Sequence, residues 1–210
     1  QTLAIDLRFD DLPVPVRIHG TVELHRLTNP KDRASEPGLS FVFRSASQVS
    51  FKHILDYYLR LALVGAALDP AQRVSLASRA LFARPGKSVA KKKDGFALQF
   101  EAGALNFDPT SGVLKPLLEL LLQYPAGGLP FESNSSIELA HKRQQGQSDG
   151  DLVDTMERAW RGDGFRAGLA QDAPMRAYYG SPAALANSDL FRTASERIFH
   201  ALQQMQQGKP

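Results

Sequence analysis

The sequence predicts an α/β (α+β) fold, a mixed sheet flanked by helices with a helical C-terminal third, and three observations carry that prediction. Apolar side chains recur at every second position through much of residues 2–45, the period of strands that cover one face. From Phe51 the apolar spacing becomes helical, and strand-like runs return at 78–83 and 95–101. Beyond residue 126 the pattern is helical, interrupted by links that contain glycine and proline.

Residues 2–9 alternate as a strand, and Asp10, Asp11 and Pro13 supply the turn after it. Residues 14–26 read as one half-buried strand. Val14, Val16, Ile18, Gly20, Val22 and Leu24 share one face; Arg17, His19, Thr21, Glu23 and His25 share the other. The charged, proline- and serine-rich residues 28–38 read as a loop leading to a paired, nearly all-apolar strand at 39–45. Phe51, Ile54, Leu55, Tyr58, Leu59, Ala62 and Leu63 then mark a helix packed on the sheet, with Ser50 as its cap and Asp69-Pro70 as its stop.

The runs at 78–83 and 95–101 read as a hairpin with a long basic tip that contains Pro85, Gly86, Lys91, Lys92 and Lys93. Asp108-Pro109 opens a leucine-rich helix that ends at Tyr124-Pro125 and either begins near Pro116 or bends there. Residues 126–130 are a break, after which 134–145, 151–161 and 187–207 are each helical in character. Two parts are expected: a core over 1–125 and a helical extension over 126–210 packed on that core.

Composition narrows the function. With 210 residues, 43% of them hydrophobic, the chain can bury a sizeable core. A formal charge of +3 permits a nucleic-acid or acidic partner without requiring one. The absence of cysteine removes disulfides, thiolate metal sites and a cysteine nucleophile, and fits a reducing compartment. No apolar run spans a bilayer and Gln1 is not followed by a signal-like core, so a cytoplasmic location without membrane contact is the expectation. The chain opens on a strand without an initiator Met and reads as a piece of something larger.

Catalytic patterns are sparse. His19, Glu23 and His25 share a strand face, but residues six apart on a strand lie about 20 Å from end to end, too far for one ion. A polar solvated face is the better reading. Gly86-Lys87-Ser88 resembles the end of a phosphate-binding loop, yet Leu81 stands where that motif needs glycine. Lys91, Lys92 and Lys93 suit phosphate contact; with no aromatic between them to stack a base, a solvated loop suits them better. There is no Gly-x-Ser-x-Gly elbow, no His-Glu-x-x-His helix and no complete dinucleotide fingerprint.

Gly20-Thr-Val-Glu23, followed after a loop by Phe41-Val-Phe-Arg-Ser45 and then a helix, resembles the core of the restriction-endonuclease-like PD-(D/E)XK nucleases. In active members one strand supplies a metal-binding acid, and the next supplies a second acid and a lysine. Hard oxygen ligands hold a divalent ion that activates water, and the lysine steadies developing charge. The resemblance puts Glu23 at the first acid, Val42 at the second and Arg44 at the lysine. Valine offers no oxygen to a cation, so the resemblance implies a dead site with neither metal nor cofactor. The alternative is an active nuclease whose ligands come from elsewhere, Glu23 with Asp10, Asp11 or Asp56.

Over almost the whole chain the order of features is similar to the C-terminal region of the gamma subunit of bacterial exodeoxyribonuclease V, the RecC family of the RecBCD helicase-nuclease. The features are 20–26, the helix from Ser50, Leu129-Pro-Phe131 with Ser135-Ser136, Ala159-Trp160, Tyr178-Tyr179-Gly180, and a closing helix with Phe191, Ala194 and Phe199. Tyr57-Tyr58 stands where that family's long helix carries tryptophan. The resemblance implies a non-catalytic scaffold for the RecD-type subunit first, the RecB-type subunit also, and DNA strands nearby. Phe131, Tyr178 and Tyr179 are its candidate partner anchors and Lys91, Lys92 and Lys93 its candidate nucleic-acid contacts. Trp160 and Phe191 fit better as part of the chain's own core.

Overall fold

The computed structural model describes residues 1–27, 38–45, 51–83, 96–102, 105–123, 132–162 and 168–207. Its chain forms two compact units, residues 1–122 with 201–210, and residues 123–200. The first is α/β with two small sheets; the second is helical among the described residues.

β1 (Thr2–Phe9) and β2 (Val16–Glu23) form an antiparallel ribbon in register from Thr2 opposite Glu23 to Phe9 opposite Val16. Alternation sorts its side chains. Ile5 and Phe9 are buried and Val16, Ile18 and Val22 half-buried, while Asp6, Arg8, Arg17 and His19 are exposed. Val14 precedes the strand and is exposed.

The strand expected over 14–26 is divided at Leu24. The Leu24 N–H donates to the Gln1 carbonyl at 2.8 Å, and the Gln1 amino terminus donates to the Leu24 carbonyl at 2.9 Å. There β1 runs out, and β3 (His25–Leu27) takes a new antiparallel partner, β4 (Gly38–Ser45). The switch leaves no mark in the alternation, because Val22 and Leu24 continue the same apolar face.

The second sheet runs β3-β4-β5-β6 and is mixed. β4 and β5 (Ala77–Ala83) are parallel, joined through α1 (Phe51–Ala67) and α2 (Pro70–Val74), the crossover that parallel strands require. β6 (Phe96–Ala102) returns antiparallel to β5, and its register slips by one between Ala80 and Leu81. The α1 stripe of Tyr57, Tyr58, Leu61, Ala62 and Val64 is buried, and the helix packs on β1, β4 and residues 110–114. At Gly65 a Cβ would lie 2.5 Å from a Leu105 methyl and 3.1 Å from the Pro109 ring, so a larger residue there must displace those side chains.

Asp69-Pro70 does more than follow the end of α1. Asp69 accepts a hydrogen bond from the Gln72 N–H at 2.9 Å and Pro70 fills the first turn, so the same dipeptide starts α2. In the leucine-rich segment, Thr110–Leu114 is π-helical and α3 (Lys115–Leu122) follows. Pro116 follows directly on the π-helical turn, whose Lys115 N–H donates to the Thr110 carbonyl, so it lies within one continuous helical path over 110–122 and not at a free helix start.

The second unit holds α4 (Ser133–Gln144), α5 (Asp149–Arg161), a 3₁₀ turn at Leu169–Gln171, α6 (Ala173–Tyr179), α7 (Pro182–Asn187) and most of α8 (Asp189–Gln207), whose residues from Ala201 belong with the first. Leu139, Leu152, Met156, Leu169, Leu185, Ala186 and Phe191 form its core. Among the described residues no helix is long and apolar enough to cross a membrane.

Candidate functional site

β4 is the strand on which the nuclease resemblance rests, and its two faces differ. Phe41 and Phe43 turn toward α1, where Phe41 stacks on Tyr57 at 6.3 Å between ring centroids and Phe43 meets Tyr57 at 6.0 Å and Phe82 at 5.9 Å. The Tyr57 and Ser78 hydroxyls share a buried hydrogen bond of 2.7 Å, which ties α1 to β5. Val42 and Arg44 occupy the opposite face by alternation. Val42 is half-buried opposite Arg79 of β5, and Arg44 is exposed opposite Leu81.

The structure brings Val42 and Arg44 onto one strand face and leaves Glu23 elsewhere. Glu23 is exposed at the end of β2, opposite Thr2 in the other sheet. Continuing the β3/β4 register by two residues would set Glu23 across from Val42, but the ladder begins only at His25 opposite Ser40. No carboxylate lies on β4. Arg79, beside the valine, was not singled out from the sequence, because only the parallel pairing of β4 with β5 makes the two neighbours.

Several other carboxylates have partners, while Asp10 is exposed in the turn after β1. Asp6 takes the Arg17 guanidinium in a two-bond grip at 2.7 and 2.9 Å, which holds the Asp6 carboxyl below its ordinary range and raises Arg17. Asp11 is bound by the Lys115 ammonium, whose hydrogen bond lowers Asp11 and raises Lys115. Asp56 pairs with Arg60 at 2.8 Å. Asp108 is pushed up by burial, yet hydrogen bonds from Ser111 and Thr110 outweigh that and lower it. Among the described residues no three of His, Cys, Asp and Glu gather where one ion could bind, and His19, Glu23 and His25 are all exposed.

In the second unit Tyr178 is 63% exposed at the end of α6. It meets Tyr179 edge-on at 5.0 Å, and Tyr179, half-buried, meets Phe191 edge-on at 6.1 Å. Phe191 is fully buried, and Trp160 and Tyr179 pack partly buried against the same core. Of the three candidate anchors, then, Tyr178 projects outward and Tyr179 is largely used in packing. Phe131, Leu129, Lys91, Lys92 and Lys93 lie outside the described residues.

No known family model matches this sequence, and no curated protein matches it.

Proposed function

We propose that the chain is a non-catalytic scaffold domain of a DNA-repair helicase-nuclease, of the kind that closes RecC-like gamma subunits of exodeoxyribonuclease V. In this reading residues 1–125 are a degenerate PD-(D/E)XK core, and the domain contacts a RecD-type or RecB-type subunit, with DNA close by during double-strand break processing. One observation supports it above the others. The strand that enters a parallel crossover, where an active enzyme of this type carries an acid and a lysine, presents Val42 and Arg44 on one face and no carboxylate. Without a second oxygen ligand a divalent ion has no clamp, and the metal-activated water that the reaction needs is not formed.

Exposed Tyr178, braced edge-on by Tyr179, suits a partner anchor, because a rigid aromatic loses little conformational freedom on docking. The test has two arms. Purified chain, mixed with magnesium and single-stranded or duplex DNA, is expected to digest neither; turnover that disappears in Glu23→Ala would overturn the reading. Immobilised chain is expected to retain a RecD-type or RecB-type motor subunit, and retention of neither removes the scaffold role.

A further inference from the structure

Among the described residues β2 pairs with β1 alone, and that ladder fixes which of its backbone groups are left over. Gln1 and Leu24 exchange both backbone hydrogen bonds, and the register runs unbroken from there to Phe9 opposite Val16. Alternation along an antiparallel ladder then turns the N–H and C=O of Val16, Ile18, Gly20 and Val22 toward β1, and those of Arg17, His19, Thr21 and Glu23 outward. All of β2 and the turn before it are described, no β2 residue is buried, and Arg17, His19, Gly20, Thr21 and Glu23 are exposed. An open hollow over Ile5, Asp6, Arg17, His19, Gly20 and Thr21 lies beside them.

Charge along an exposed edge normally keeps strands from joining. Here the order of charges favours one occupant, a second β2 laid antiparallel across a two-fold axis at Gly20. That register sets Arg17 opposite Glu23 at both ends, Ile18 opposite Val22 on the apolar face, and His19 opposite Thr21. The outward groups of 17, 19, 21 and 23 then meet one another, as hydrogen-bonded pairs require. Asp6 holds Nε and Nη2 of Arg17, which leaves Nη1 for a second carboxylate. Glu23 has no ion pair among the described residues. A shift of the register by one hydrogen-bonded step loses the fit: one way His19 faces itself, and the other way Arg17 reaches His25, which already pairs with Ser40 of β4.

Gly20 adds an independent observation. Its φ is not positive, and a Cβ there would meet nothing within 4 Å, so nothing among the described residues calls for glycine in mid-strand. Glycine weakens a strand interior and often marks a place where another backbone comes close. On the axis two Gly20 residues come opposite each other in a non-hydrogen-bonded pair, the closest main-chain spacing in an antiparallel ladder.

We infer that β2 joins the β2 of a second copy of this chain, antiparallel about Gly20, and makes one four-stranded sheet from two ribbons. Such a contact needs a surface that complements itself under a two-fold axis, and the order of side chains from Arg17 to Glu23 does so. The ladder ends at Glu23, before β3 pairs with β4. This goes beyond the scaffold reading and does not need it.

Sedimentation of the full chain over about a hundredfold range of concentration is expected to show a monomer-dimer equilibrium. Amide exchange at Arg17, His19, Thr21 and Glu23 is expected to slow by about tenfold or more as the dimer forms. Glu23→Arg and Arg17→Glu each set like charges opposite one another at both ends, and each is expected to weaken the dimer by about tenfold or more. An equimolar mixture of the two variants restores both opposite-charge pairs and is expected to dimerise as the wild type does. Thr21→Pro removes an outward N–H and none that bonds β1, and is expected to stay monomeric. A wild-type chain that stays monomeric, a dimer that leaves exchange at these amides unchanged, a mixture no more associated than its parts, or a Thr21→Pro chain that dimerises normally would each overturn the inference. Slow exchange at these amides that does not vary with concentration would assign the edge to the chain's own residues and overturn it as well.

Discussion

Val42, Asp108 and Tyr57 show how single side chains decide between chemistry and architecture. Val42 puts an apolar side chain, and Arg44 a positive charge, on a strand face of β4 that carries no carboxylate. Tyr57, fully buried, bonds Ser78 across the helix-sheet interface, so Tyr57→Phe is expected to cost about 1 kcal/mol in urea unfolding. A change below about 0.3 kcal/mol would mean that the bond adds nothing net. Asp108 accepts from Thr110, from Ser111 and, at 3.4 Å, from Arg73, and its carboxyl is lowered. A depressed carboxylate stabilises the fold above its unfolded value and loses that contribution as pH falls through the folded one. Asp108→Asn should therefore lower stability at neutral pH, and the gap to wild type should shrink as acid is added below about pH 4. Melting temperatures between pH 3 and 7 check both statements.

At the scale of elements, three short helices begin at sites that read as interruptions. Asp69 with Pro70, Asp172 with Pro174, and Ser181 with Pro182 each set an acceptor side chain before a proline in the first turn. Proline marks an end when its fixed φ and missing N–H fall mid-helix; in the first turn that N–H has no helical partner to lose, and the same residue marks a start. Long elements were legible because their apolar period is sustained: β1, α1 and α8 carry it over two turns or more, or over a full strand. The start of α5 depends on a reciprocal cap. Ser148 accepts from the Asp151 N–H, and Asp151 accepts from the Ser148 N–H. Ser148→Ala is expected to cost about 1 kcal/mol, seen as a lower urea midpoint with an unchanged slope.

At the scale of the whole molecule each unit has its own core. In the second, Phe191→Ala removes a fully buried ring from among Leu139, Leu152, Met156 and Leu185. A loss of about 3–5 kcal/mol is expected, with faster amide exchange in α5 and α7 as the local readout. Gly168 is a second control on that unit: a Cβ there would sit 2.2 Å from the Trp160 carbonyl oxygen, so Gly168→Ala must displace backbone. An unchanged melting temperature in Gly168→Ala would show that this approach is not needed.

The sequence by itself determined where apolar side chains recur and where the backbone can start or stop. That is local information, and it suffices for the α/β character of the first part, for the helical last third and for the absence of an acid at Val42. Partner choice is not local. Only the tertiary structure decided that Leu24 ends one ladder and His25 opens another, that Arg79 stands beside Val42, and that Glu23 belongs to a different sheet from Val42 and Arg44. The physical reason is that a strand offers the same donors and acceptors on both edges, whatever its side chains. Which edge is filled depends on residues far along the chain.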